Sequence, residues 1–226
     1  MAGSRLHSIY FHAGRLFNTK RYANTKVNEI AAAAGIATGT IYNLFTSKKA
    51  ILTFVIRASL DKEYLDSDIA LPIEETDMKL LLALWSGVSD RVSRIIRVTD
   101  ANGVIIKPFS QMISEFFDFH ADVLLGTNNI EHNADILREL ANVYFPARAA
   151  FFDDLAKVLN LYMESGEIRQ LEHLRVHVQS IMDILTWWAM NAYIAMPEVS
   201  VPRETAQKIA VEILERAYLS DHHRIG

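Results

Sequence analysis

The stretch that most constrains this chain runs from Thr25 to Lys48, TKVNEIAAAAGIATGTIYNLFTSK. Val27, Ile30, Ala31 and Ala34 recur at helical spacing, so a first short helix has one apolar face. Thr25 stands just before that run, where a hydroxyl can cap the free N–H groups of a first turn. The alanines from Ala31 to Ala34 favour helix and leave little bulk between packed helices. Gly35 follows where a helix end takes a left-handed residue. A second short helix starts near Thr38 and turns Ile41, Leu44 and Phe45 to one side. At about 100° per residue, Gly39 and Asn43 point away from that side, with Thr40 and Tyr42 flanking. Such a surface fits a DNA major groove: small residues permit close approach, hydroxyls reach phosphates, and an amide can pair with a base edge. A plain surface helix between two longer ones would show the same local pattern.

Charge separates the two readings. Ser47 can cap a further helix whose first turn holds Lys48 and Lys49. Cations there oppose the helix dipole unless an anion lies close, and a DNA phosphate would supply one. Residues 1–50 carry Arg5, Arg15, Lys20, Arg21, Lys26, Lys48 and Lys49 against Glu29 alone, a net +6. The whole chain of 226 residues is at −4, so the rest carries −10. A basic head on an acidic body predicts a head that meets a polyanion.

Residues from about 6 to 55 resemble, without a gap, the DNA-binding domain of the TetR family of bacterial transcription regulators. The resemblance is carried by Ala13, Leu16, Phe17, Thr25, Ile30-Ala31, Ala34-Gly35-Ile36, Gly39-Thr40-Ile41-Tyr42, Phe45 and Ser47-Lys48. The chain departs from the usual pattern at four positions. Arg21 stands where the family often has glycine, Ala37 where serine is common, Leu44 where histidine is, and Lys49 where glutamate is. On this reading Thr25, Lys26, Tyr42 and Lys48 hold phosphates, while Thr38, Gly39, Thr40 and Asn43 meet base edges. Asn43 is the best placed for bidentate pairing with adenine.

The chain is long enough for one large or two modest domains. No apolar run approaches the roughly 18 residues that span a bilayer. The start is amphipathic rather than a signal peptide, so no membrane partner and a cytoplasmic protein are expected. Without cysteine, disulfides and thiol redox sensing are excluded.

Leu6, Ile9, Tyr10, Ala13, Leu16 and Phe17 mark a first helix. A longer helix is expected from Lys48 to about Asp66, linking head and body, and then a loop through Pro72. Thr76 is the expected cap of the next helix, through Ile95. Asn102-Gly103 between β-branched runs is a hairpin signal, but with no sheet to extend, a helix end and loop is the preferred reading. Helix resumes over Phe109–Leu125, a polar loop follows over Gly126–Asn133, and a helix kinked or broken at Pro146 runs from Ile136 to Met163. The helix at about 172–195 needs burial on more than one side: Val176, Ile181, Met182, Ile184, Leu185, Trp187, Trp188, Met190, Tyr193 and Ile194 do not fit one narrow stripe. A turn over 196–202 leads to a last helix at 203–219, with Ile209, Val211, Ile213, Leu214 and Tyr218. Two such helices from each of two subunits can form a four-helix interface, and TetR-like regulators pair through their last two helices. Two-fold pairing would give two heads for a palindromic operator in double-stranded DNA.

The resemblance further implies a small-molecule effector bound among the middle helices. Trp85, Phe109, Met112, Phe116, His120, Phe152 and Met182 are the candidate lining, apolar enough for a hydrophobic ligand. His173 and His177 have metal-ligand spacing but no third ligand, so neither metal nor cofactor is expected. Asp118, His120 and Asp122 alternate around a helix and do not converge, and no nucleophile elbow or phosphate loop is present, so no enzyme is expected. The fold class that follows is all-α. A three-helix helix-turn-helix DNA-binding domain at 1–50 precedes a helical ligand-binding and dimerisation domain at 51–226. The expected function is a homodimeric repressor released by its ligand. The alternative is a DNA-bound module whose body binds another protein and takes no inducer.

Overall fold

The computed structural model describes residues 2–193 and 201–221. Among them the chain is all-α. Its helices are α1 (Ala2–Asn24), α2 (Val27–Ala33), α3 (Thr38–Leu44), α4 (Lys48–Leu60), α5 (Met78–Ile96), α6 (Phe109–His132), α7 (Arg138–Glu164), α8 (Leu174–Tyr193) and α9 (Arg203–Tyr218). The expected turn at 196–202 lies outside the described residues up to residue 200, as do Ile194 and the side chains of Met190 and Tyr193.

Packing divides the chain into two compact units, Met1–Val88 with Asp122–Phe145, and Ser89–Ala121 with Pro146–Gly226. This division differs from the expected functional boundary at residue 50. The reason is α4, which buries Ala50 through Ile56 in succession and so is enclosed by the first unit. It ends at Leu60, before the expected Asp66, and a short 3-10 turn covers Tyr64–Asp66. The helices that carry residues of both units are α5, α6 and α7; in α7 the division falls at Pro146, through which the helix continues.

In the first unit, Ile9, Phe17, Ile30, Ile41, Phe45, Ile51 and Phe54 make a core from the faces of α1 to α4. Each such side chain contributes about 1.5–3 kcal/mol by leaving water. α1 is broken inside at Arg21, which stands at φ 66, ψ 159. This backbone region belongs to glycine, and another residue there costs about 1–3 kcal/mol.

The polar run 126–133 is not the expected loop. It continues α6 to His132, with Asn129 and Asn133 fully buried against α1. Asn129 Nδ2 donates to the carbonyls of Gly14 (3.0 Å) and Leu125 (2.7 Å). Asn133 Nδ2 donates to the carbonyls of Phe17 (3.3 Å) and Asn129 (3.0 Å). Gly126 lets α6 touch α4: a Cβ on it would meet Ser59 Cβ at 2.6 Å, and its N–H donates to Ser59 Oγ (2.9 Å). Polar residues here bond the backbone of a neighbouring helix, so polarity does not mark solvent.

Two further expectations change. Asp77 caps α5, its carboxylate accepting from Lys79 N–H (2.9 Å), whereas Thr76 gives its N–H to Thr53 Oγ1 (3.0 Å). Asn102-Gly103 does turn a short hairpin. Thr99 and Ile105 bridge antiparallel, Ile106 N–H donates to Val98 O (2.9 Å), and Gly103 has φ 80. Asp100 makes this possible without a sheet by accepting the N–H groups of Asn102 (2.8 Å) and Val104 (2.9 Å).

In the second unit, α8 and α9 pack together, with Val178, Ile181, Leu185, Ala206, Ala210 and Leu214 buried. Ile168 bridges Leu219 at the end of α9, and Arg203 and Gln207 both bond the Asp118 carboxylate (2.8 Å each).

Candidate DNA interface

α2 and α3 are each seven residues long, too short to persist alone. Their ends are therefore built by specific bonds. Lys26, not the expected Thr25, occupies the N-cap of α2, and its N–H donates to Glu29 Oε2 (2.9 Å). The Glu29 carboxyl is held below its usual pKa first by the hydrogen bond from Lys20 Nζ (2.7 Å), then by this one. Thr25 is buried at 1 % exposure, and its hydroxyl donates to the carbonyls of Arg21 (2.9 Å) and Leu16 (3.2 Å). It braces the end of α1 and does not present a hydroxyl to a phosphate. The far end of α2 closes on Gly35 at φ 69. Ile36 N–H reaches Ala31 O (3.0 Å) and Gly35 N–H reaches Ala32 O (3.2 Å), a left-handed helix cap.

α3 turns Ile41, Leu44 and the following Phe45 into the core. Its end is pinned by the 71–75 segment: Ile73 N–H donates to Leu44 O (2.7 Å) and Thr46 N–H to Ile73 O (3.0 Å). Gly39, Tyr42 and Asn43 face outward, Tyr42 at 62 % exposure, with Thr38 and Thr40 half-buried beside them. A Cβ at Gly39 would meet nothing within 4 Å. Among the described residues, the side chains of Thr38, Thr40, Tyr42 and Asn43 make no hydrogen bond within the chain. A rigid helix thus offers a free amide, three free hydroxyls and a gap.

Ser47 caps α4 as expected, accepting from Ala50 N–H (2.9 Å). The two lysines behind it already have partners. Lys49 pairs with Glu75 (3.0 Å), which also accepts from Ser47 Oγ (3.1 Å). Lys48 Nζ donates to the carbonyls of Tyr22 (2.8 Å) and Thr25 (3.0 Å) and lies 4.1 Å from the centre of the Tyr22 ring. The chain itself therefore supplies the negative ends expected there from a phosphate, and one N–H of Lys48 is left over.

The ligand candidates separate. Trp85 lies in the first unit, edge-to-face with Tyr144 at 5.1 Å. Phe109, Met112, Phe116, His120, Phe152 and Met182 lie in the second. Phe109, Met112 and Phe116 are fully buried along one side of α6, and Phe116 packs on Phe151 at 5.5 Å. Burial pushes the pKa of His120 down to about 4, against a weaker opposite pull from its bond to Phe116 O (3.2 Å). A cavity of 430 Å³ is lined by Lys49, Glu75 and Arg138, among others, and one of 340 Å³ by Ser114, Gln207 and Glu215, among others. None of the seven candidates lines either.

Asn129 and Asn133 escaped the sequence reading, although their i, i+4 spacing around buried Ile130 was visible. His177 Nδ1 meets the Tyr218 hydroxyl (3.1 Å), and among the described residues no three ligating side chains gather for a metal. No helix of the described residues is long and apolar enough to cross a membrane.

Residues 9–53 match the family model of bacterial regulatory proteins, tetR family. No curated protein matches the chain in sequence. The fold is shared with a ketosteroid transcriptional regulator, KstR2, of Mycobacterium tuberculosis, at 16 % identity and TM-score 0.56, covering 96 % of each chain. It is also shared with a TetR-family transcriptional regulator from Marinobacter aquaeolei VT8, at 15 % identity and TM-score 0.52, covering 97 % of this chain and 93 % of that one.

Proposed function

We propose, from a chain whose segment 9–53 is of the tetR family of bacterial regulatory proteins and whose fold is shared with regulators of that family, that it represses transcription as a homodimer on a palindromic operator. The observation that carries this reading is the outward face of α3, where Asn43, Tyr42, Thr38 and Thr40 stand free around Gly39 on a helix fixed from behind. Asn43 pairs with a base edge, adenine above all, and the threonine hydroxyls and the Gly39 backbone meet neighbouring bases. Lys26 and Tyr42 hold phosphates, joined by the remaining N–H of Lys48. On this view residues 1–50 read DNA in the cytoplasm, and 51–226 hold the dimer face and the effector site.

The dimer face is α8 with α9. Val176, Trp187 and Ile213 stay exposed at 64 %, 46 % and 39 %, although the same helices bury their other sides. A second copy of that pair would cover them and set two heads against two half-sites. The effector is a small, apolar molecule received among Phe109, Met112, Phe116, His120, Phe152 and Met182, and it lowers operator affinity by binding the DNA-free conformation better.

Selection of duplexes from a randomised pool by the full chain tests this. A palindromic consensus is expected, with binding weakened by Asn43→Ala. No enrichment, or an Asn43→Ala variant that binds the selected duplex as tightly, would refute it.

A further inference from the structure

Nothing in the local sequence stops α1 at Arg21: Asn18-Thr19-Lys20-Arg21-Tyr22-Ala23 holds neither glycine nor proline. A helix running on through Arg21 would pair the Tyr22 N–H with the Asn18 carbonyl, four residues back. In the structure these two groups are both bonded to the end of α6. Tyr22 N–H donates to Asn133 Oδ1 (2.5 Å), and His132 Nδ1, in its N–H form, donates to Asn18 O (2.9 Å). Asn133 Nδ2 reaches Phe17 O (3.3 Å) and Asn129 Nδ2 reaches Gly14 O (3.0 Å). The other side of the corner is braced by Thr25, which bonds Arg21 O, and by Lys48, which bonds Tyr22 O and Thr25 O.

We infer that Asn133 is a positioning residue for DNA binding: from the end of α6 it holds α1 broken at Arg21, and so sets the place of Lys26, α2 and α3. The inference rests on the DNA-binding reading above. Glycine at position 21 would adopt φ 66 unaided. Arginine does not, so the corner is conditional on its outside bonds. If Asn133 withdraws, Arg21 returns to helical backbone, Tyr22 N–H pairs with Asn18 O, and the carbonyls that hold Lys48 turn away. Because Asn129, His132 and Asn133 sit within one turn, a shift of α6 along or about its axis moves all their bonds together.

The test uses the full chain, a duplex that the wild type selects from a randomised pool, and the Cα chemical shift of Arg21. Asn133→Leu is expected to move that shift to the helical range and weaken duplex binding about tenfold, the scale of one strained backbone position. The double variant Arg21→Gly with Asn133→Leu is expected to bind within about threefold of wild type, because glycine removes the strain. That recovery would come despite the loss of a positive charge, and a general loss of packing at residue 133 would not give it. Arg21→Gly alone needs no change at 133, and should raise Tm by about 2–4 °C. An unmoved Arg21 shift in Asn133→Leu, a double variant as weak as the single one, or a lower Tm in Arg21→Gly each overturns the inference. If the wild type selects no duplex, the role in DNA binding falls with that reading. The chemical shift and Tm then decide whether Asn133 holds the corner.

Discussion

Two sets of polar side chains in the first compact unit look alike in sequence and behave oppositely. Among the described residues, the side chains of Thr38, Thr40, Tyr42 and Asn43 on α3 have no hydrogen-bond partner, whereas those of Thr25, Lys48, Asn129 and Asn133 around the end of α1 are bonded to backbone carbonyls. The difference lies in what stands behind each set. The back of α3 is satisfied by Ile41, Leu44 and the bonds to Ile73, so its front is left for something else. The corner at Arg21 has a broken backbone, and its backbone groups are bonded by Asn133, Thr25 and Lys48. Polar groups that are free on a rigid helix can recognise, while those that close a broken helix hold the shape.

The largest expected effect comes from the inward set. Asn129→Ala leaves the Gly14 carbonyl without its side-chain donor and opens a small void, and should destabilise the chain by about 3 kcal/mol in urea unfolding with unchanged m. A loss under about 1 kcal/mol would mean that the buried amide is not holding α1.

A half-buried polar group in the second unit, His120, extends the comparison through pH. His120 titrates near 4 in the fold against 6.5 in an unfolded chain. Its folded pKa is depressed, so the unfolded state takes up the proton first as pH falls. Stability is complete above about 6.5 and declines toward pH 4 by up to about 1.4 kcal/mol per pH unit, on the order of 2–3 kcal/mol in all. His120→Phe should flatten that part of the pH profile. If wild type and variant lose Tm in parallel between pH 6.5 and 4, His120 is not neutralised by burial.

On the outward side, Asn43→Ala should leave Tm unchanged while weakening the selected duplex by about 2 kcal/mol, with discrimination lost at one base pair. Equal weakening on every duplex would make Asn43 a phosphate contact instead.

Much of this was legible in the sequence, and the gaps have physical causes. The two short helices, Gly35 and the Ser47 cap depend on neighbours within a few residues, and local pattern carries them. The run 126–133 looked like loop because Thr127, Asn128, Asn129 and Asn133 are polar. Asn129 and Asn133 find partners in carbonyls of a helix more than a hundred residues earlier, which no local pattern reports. Thr25 failed as a cap for the same reason: its hydroxyl answers to the broken turn at Arg21, whose backbone follows from α6. Lys48 and Lys49 were expected to need a phosphate, but their partners are carbonyls at residues 22 and 25 and the Glu75 carboxylate.

The smallest effect separates the two sets most finely, because it compares adjacent residues. Thr25 and Lys26 were both expected to hold phosphates, yet Thr25 is buried at 1 % and Lys26 is exposed. Thr25→Val keeps the shape and removes the hydroxyl. It should lower stability by about 1 kcal/mol through the lost bonds to Arg21 O and Leu16 O, and leave the salt dependence of duplex binding unaltered. Lys26→Ala should do the reverse, leaving Tm in place and reducing the slope of log affinity against log salt by about one, since one phosphate contact is lost. Because a neutral hydroxyl releases no counterion, the slope reports Lys26, and for Thr25→Val the affinity for the same duplex decides between a hydroxyl that supports the corner and one that reaches DNA. A weaker affinity at unchanged Tm would show the corner opening on the nucleic acid and turning its hydroxyl outward, and the division between free and bonded groups would then hold only for the unbound chain.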